Sequence, residues 1–137
     1  MATAAKSPTT KPLLTTLHIN LETVESGVPI ATMSDFATSS GIPLKDLYEV
    51  VIPARTLKHR RARREPLSRD ESDKLARVVR IFDHAVKVFS GTERARTWLE
   101  EPKKRFANRT PLEMLRTETG GRMVEEFLGQ IEYGMFA

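Results

Sequence analysis

The chain has 137 residues and a mass of 15.5 kDa, enough for one domain or two very small ones. It has no cysteine, which excludes disulfides, a thiol nucleophile and Cys-type zinc sites, and no run approaches the ~18 apolar residues a membrane span needs. The net charge of +4 is concentrated: residues 1–52 carry −2, residues 53–64 carry +6 with no acid, and residues 65–137 carry zero.

Residues 1–16 are mostly Ala, Thr, Ser and Pro without an apolar core, so a disordered tail rather than a signal peptide is expected. A cytosolic location follows by default. Beyond the tail nearly every stretch carries helix signals, and strand alternation is nearly absent. A short helix is expected over Leu21 to Glu25, stopping at Gly27. Ser34 is placed to N-cap a second, from Asp35 to Ser39, with Gly41 as its left-handed terminator. Pro43 opens a third, with Leu44, Leu47, Val50 and Val51 as its buried stripe. Pro53 opens a fourth, running to about Arg64.

Pro66 marks a joint. Ser68-Arg69-Asp70-Glu71 reads as a capping box, in which Ser68 bonds the Glu71 amide and Glu71 reaches back. It starts the longest helix, because Leu75, Val78, Val79, Phe82, Val86 and Phe89 repeat at three and four. Ser90-Gly91 ends it. Thr92 is expected to cap a helix holding Trp98 and Leu99 that stops before Pro102. Thr110-Pro111-Leu112-Glu113 joins a capping box to proline at the first helical position. Gly120-Gly121 is expected to break that helix, and a last one carries Val124, Phe127, Leu128 and Ile131 up to Gly134. The fold class is therefore all-α. The division is a tail over 1–16, a helix-turn-helix-like region over 17–66 and a helical domain over 67–137. Two half-sized cores would each be marginal and would favour oligomerisation.

The order short helix, turn at Val51-Ile52-Pro53, basic helix is the layout of a helix-turn-helix. Arg55, Lys58, Arg60, Arg61, Arg63 and Arg64 suit phosphate neutralisation. Arg55, Thr56, Lys58 and His59 stand near the helix start, where groove-reading side chains sit. Leu57 should face inward. The competing reading is a solvated basic helix end favoured by the helix dipole. Six like charges in twelve residues repel, however, unless a polyanion offsets them.

Catalysis is not expected. His18, His59 and His84 share no motif spacing, and no HExxH, GxSxG, P-loop or GxGxxG pattern occurs. No cofactor or metal is implied. Trp98 and the phenylalanines fit core spacing, and Trp98→Ala is expected to cost about 3–5 kcal/mol if Trp98 is buried. The segment Ile131-Glu132-Tyr133-Gly134-Met135-Phe136-Ala137 is unusually apolar for a terminus. It reads either as folded back on its own core or as an anchor for a partner protein.

Arg55-Thr56-Leu57, Arg60-Arg61, Leu67-Ser68 and Glu71-Ser72 together resemble the helix-turn-helix region of Xre/MbcA/ParS-type antitoxins. The downstream half resembles the toxin-binding domain of the same family. It does so through Arg77, Ala85, Val88-Phe89, Ala95, Trp98-Leu99 with Pro102, Thr110-Pro111-Leu112-Glu113, Leu115, Thr117, Gly120, Val124, Leu128 and Ile131-Glu132-Tyr133-Gly134. The resemblance covers roughly residues 20–137. It implies an all-helical homodimer that neutralises a RES-domain toxin, which consumes NAD by degrading it or by ADP-ribosylating a protein. It also implies that the C-terminal domain covers the toxin's active-site entrance and that the complex represses its own operon by binding operator DNA. The chain departs from the family at Asn108, where a Gly-rich turn is common, and at Gly121, whose double glycine suggests a hinge. The toxin contacts are expected from Arg116, Arg122, Glu132, Tyr133, Gly134, Met135, Phe136 and Ala137. In that scheme Glu132 and the Ala137 carboxylate face a basic nucleotide pocket, while Tyr133, Met135 and Phe136 anchor. The rival readings are a free-standing regulator with a dimerising C-terminal domain and a helical adaptor for an acidic protein.

Overall fold

The computed structural model describes residues 11–134. Met135, Phe136 and Ala137, three of the expected toxin contacts, lie outside the described residues.

The described residues form helices joined by turns, with no strand among them, as the periodicity predicts. The first helix, α1 (Leu13–Thr16), falls where a tail is expected. It forms because the half-buried Asp83 carboxylate accepts from the amides of Leu13 (2.7 Å) and Leu14 (3.0 Å), groups that a four-residue helix cannot satisfy itself. Next, α2 (Leu21–Ser26) starts at a capping box between Asn20 and Thr23 and stops at Gly27. There the chain turns at φ 101°, and an added Cβ would lie 2.6 Å from the Leu67 carbonyl oxygen.

The third helix, α3 (Ile30–Ser40), begins five residues earlier than Ser34 and Asp35 suggest. Pro29 sits at its N-cap, and Met33 and Phe36 give it a buried stripe that extends below Ser34. Gly41 ends it in the left-handed conformation, as expected. In contrast, α4 (Leu44–Leu47) is a single turn. Val50, Val51 and Ile52 are buried, but they sit in the irregular turn after it, where Glu49 takes φ 69°. The basic helix α5 (Ala54–Ala62) follows Pro53 and stops short of Arg64.

The long helix α6 (Arg69–Phe89) has the expected capping box at Ser68 and Glu71 and ends at Ser90. In α7 (Thr92–Leu99) Thr92 is the first helical residue rather than the cap; extended Gly91 takes that place. A 3-10 turn over Lys104–Phe106 leads through Ala107 (φ 56°) and Asn108 (φ 65°). Asparagine tolerates that left-handed conformation better than most residues, which suits it to a turn where glycine is common. The short α8 (Pro111–Met114) has its capping box at Thr110 and Glu113.

Gly120 and Gly121 do not break a helix. They occupy the first turn of α9 (Glu118–Glu132), which Thr117 caps by accepting from the Gly120 amide at 3.0 Å. Both are needed for close approach. A Cβ on Gly120 would stand 1.9 Å from the Met114 carbonyl oxygen, and one on Gly121 would stand 2.8 Å from Arg77 Cδ. A glycine pair packed this tightly is a contact surface, not a hinge.

The helices pack around α6, which touches α1, α2, α3, α7 and α9. Its buried Leu75, Val78, Val79, Ile81, Phe82 and Ala85 face both halves of the chain. Phe82 meets Phe36 of α3 edge-on at 5.5 Å. The buried apolar residues form one cluster from Ile19 to Leu128, so the two half-sized cores weighed on length alone are replaced by one shared core.

Candidate functional site

The basic surface is built on α5. Leu57 is the only buried side chain of this helix and points into the core, as expected. Arg55, Lys58, His59, Arg61, Arg63 and Arg64 are exposed, and Thr56 is half-buried. The structure therefore displays most of the expected DNA-contacting side chains together on one helix and its C-terminal end.

Arg60 differs. Its Nε and Nη2 donate to the two Glu71 oxygens at 3.1 and 3.0 Å, and Glu65 lies 3.7 Å from Nη1. A forked guanidinium–carboxylate pair of this kind is directional and strong. Burial pushes the Glu71 carboxyl up, but the hydrogen bonds from Arg60 and Ser68 outweigh it and hold it below the usual glutamate range. Hydrogen bonding to Glu71 likewise raises the Arg60 pKa. The charge of Arg60 is thus spent inside the molecule.

The turn preceding α5 also departs from expectation. Six residues, 48–53, separate α4 from α5, and a parallel bridge joins Tyr48 to Ile52. The tight glycine turn of this region lies one connection upstream, at Gly41 between α3 and α4.

The second surface is the end of α9. Tyr133 is 81% exposed, and Gly134 follows with φ 70°. Glu132, expected to offer a free negative charge, is already engaged. His84 Nε2 lies 3.0 Å from its Oε1 and Lys87 Nζ 3.8 Å from its Oε2. The His84 contact, with the nearby Lys87, holds the Glu132 carboxyl below its usual range. Arg122 is likewise paired, donating to Glu118 at 2.9 Å within one face of α9.

Arg116 faces elsewhere. It lines a cleft of about 460 Å³ between the turn after α4 and the α7–α8 region, with Asp46, Tyr48, Glu49, Glu100 and Glu113. Burial, then hydrogen bonding to Asp46, raises the Glu100 pKa. The carboxylates come from separate elements, so no spacing rule in the chain announces the cleft.

Arg77, one of the family-motif residues, is a buried cation whose side chain is 9% exposed, a role its spacing does not announce. Its Nη1 donates to the Leu115 carbonyl at 2.9 Å, fastening the α8–α9 connection to α6. Nearby, Phe89, Trp98, Phe127 and Phe106 form a chain of ring contacts at 5.5–5.8 Å. Lys103 lies over Trp98 at 5.0 Å and Arg105 over Phe127 at 3.9 Å. Trp98 is therefore half-buried beneath a cation rather than enclosed in the core.

Comparison with known proteins agrees with this two-part layout. Residues 20–80 match the antitoxin Xre-like helix-turn-helix domain. Residues 84–134 match the antitoxin Xre/MbcA/ParS C-terminal toxin-binding domain. The Antitoxin Xre of Pseudomonas putida is 48% identical over 84 residues, 61% of this chain but only 53% of that protein. The Antitoxin Xre of Yersinia enterocolitica is 31% identical over 119 residues, 85% of this chain and 80% of that protein. A Prs ADP-ribosylating antitoxin of Sphingobium is 24% identical over 124 residues, 83% of this chain and 78% of that protein. A helix-turn-helix half and a toxin-binding half meeting on one shared helix, with relatives similar across most of their length, place this chain in the Xre/MbcA/ParS antitoxin family.

Proposed function

We propose that this chain neutralises a NAD-consuming RES-domain toxin by covering its active-site entrance, and that its complex represses its own operon. The observation that carries the reading is the toxin-binding match over residues 84–134, whose last residues include the exposed Tyr133. An exposed aromatic beside an otherwise buried helix face is the type of side chain that dominates protein interfaces. The Sphingobium relative's name, with its reference to ADP-ribosylation, is compatible with a toxin that uses NAD. Blocking needs no chemistry from the antitoxin: it excludes substrate by occupying space. The protein acts as a homodimer in the cytoplasm, without a cofactor and without catalysis of its own.

Within this reading the anchor is Tyr133 with residues 134–137. Glu132 pairs at the surface with His84 and Lys87, bracing the end of α9 against α6. Operator contact falls to Arg55, Lys58, His59, Arg61, Arg63 and Arg64, whose exposure supports phosphate and groove contact, with the half-buried Thr56 beside them.

The test is co-expression with a RES-domain toxin, taken from the neighbouring reading frame if that frame encodes one. Removing residues 133–137 should restore toxicity, and full protection by the shortened chain would overturn the anchor. Charge reversal at Arg55 and Lys58 should abolish a gel shift on the upstream DNA while protection persists. Loss of protection with retained DNA binding would move the basic helix to the toxin interface.

A further inference from the structure

The basic helix poses a mechanical problem. With Leu57 as its only buried side chain, α5 has little packing to fix its position. Its exposed cations also repel one another. A helix anchored by one side chain can rotate about that point, and a rotating helix cannot hold a fixed register on a polyanion.

The structure supplies a second anchor. Arg60 stands one turn beyond Leu57 and forks onto Glu71 at 3.0 and 3.1 Å. Glu71 is itself fixed: its Oε1 accepts from the Ser68 amide at 2.7 Å, and Ser68 Oγ accepts from the Glu71 amide at 3.1 Å. The capping box that starts α6 therefore serves as the socket for a side chain of α5. Arg60 Nη1 also lies near Glu65, which follows the helix. Two anchors on different turns fix rotation as well as position.

We propose that Arg60 is a positioning residue: through Glu71 it locks the basic helix so that Arg55, Lys58 and Arg61 face a nucleic-acid backbone, and it makes no phosphate contact itself. The inference rests on the DNA-binding reading for its purpose and on the Arg60–Glu71 pair for its mechanism.

The decisive variant is Glu71→Gln, which removes a negative charge and releases Arg60. Glutamine is also accepted at this position of a capping box, so the start of α6 is retained. If Arg60 were a phosphate ligand held in reserve, this variant would bind DNA more tightly and with a steeper salt dependence. The locking role gives the opposite result, a several-fold weaker affinity with an unchanged salt slope. Amide hydrogen exchange should become faster across residues 54–62.

Binding is measured with the full chain, on a duplex from directly upstream of its reading frame and on a scrambled duplex, over a series of salt concentrations. Arg60→Gln should leave the slope unchanged, whereas Arg55→Gln should lower it by about 0.9, the value of one phosphate contact. Arg60→Lys keeps the charge but loses the fork. It should show the same exchange increase, and it serves if Glu71→Gln melts at the assay temperature.

Tighter binding or a steeper slope in Glu71→Gln, a lowered slope in Arg60→Gln, or unchanged exchange in α5 would each overturn the proposal. So would loosened α5 with undiminished DNA affinity, because the pair would then serve stability alone. If the wild-type chain binds neither duplex, the DNA reading fails on its own account, and the exchange measurement still decides whether the pair locks the helix.

Discussion

Two helices dock on α6 with a different balance of packing and polar bonds. Near its start, α5 is held by one apolar side chain and one forked ion pair. Farther along, α9 is seated by packing, with Gly120, Gly121, Val124 and Leu128 all buried, and the Arg80–Glu125 and His84–Glu132 pairs to α6 only flank that buried face. The difference follows from composition. A helix that must display many cations has few positions left for apolar contact, so a directional polar bond has to fix it. A helix with an apolar stripe and small residues is fixed by packing. Charge display and packing thus compete for the same side-chain positions, and α6 serves both by offering an acid at one end and an apolar face along its length.

The largest test of this contrast lies in the shared core. Phe82→Ala should cost about 3–5 kcal/mol, because the ring is fully buried and meets Phe36 of the other half. The loss should appear as a single lowered thermal transition, and two separate transitions would show that the halves fold independently. Trp98→Ala should cost less, about 2 kcal/mol, since the ring is half-buried at the edge of the core, against Phe89 and Phe127 and beneath Lys103.

Next, Gly120→Ala should destabilise by about 1–3 kcal/mol, because the new methyl meets backbone that cannot swing aside. A melt unchanged by this substitution would break the claim that the start of α9 is held by close packing, here against the Met114 carbonyl of α8.

A smaller effect should mark the polar anchor. Ser68→Ala removes one bond of the capping box and should cost about 1 kcal/mol. The pair is also acid-sensitive, and the sign is definite. Glu71 has a lowered pKa in the folded state, so its contribution is complete above the ordinary glutamate value of about 4.3 and is lost as pH falls through the folded value. Glu71→Gln should flatten the acid limb of stability against pH, as read by denaturant titration across that range. The smallest effect has the opposite sign. Gly129 lies within α9 with open space around it, so Gly129→Ala should stabilise by about 0.5–1 kcal/mol.

Much of this was legible in the chain. The capping boxes at Ser68 and Thr110, the left-handed stop at Gly41 and the inward Leu57 depend on neighbours within one helical turn, and they stand where the residues indicate. The misread places depend on distant groups. Asp83 orders Leu13–Thr16 from about 70 residues away, and the Met114 carbonyl explains Gly120. Glu71 engages Arg60 of the basic helix, and His84 pairs with Glu132 at the surface. Each is a pairing between elements that no local pattern records.

By itself the sequence determined the all-helical class, most helix starts and stops, the site of the charge surplus and the family motifs. All of these are properties of short segments, set by periodicity, capping and charge density. Only the tertiary structure decided which charges remain free. An ionic side chain looks the same in sequence whether it faces solvent or a carboxylate. The partner that consumes its charge comes from another helix, and chain folding alone brings the two together.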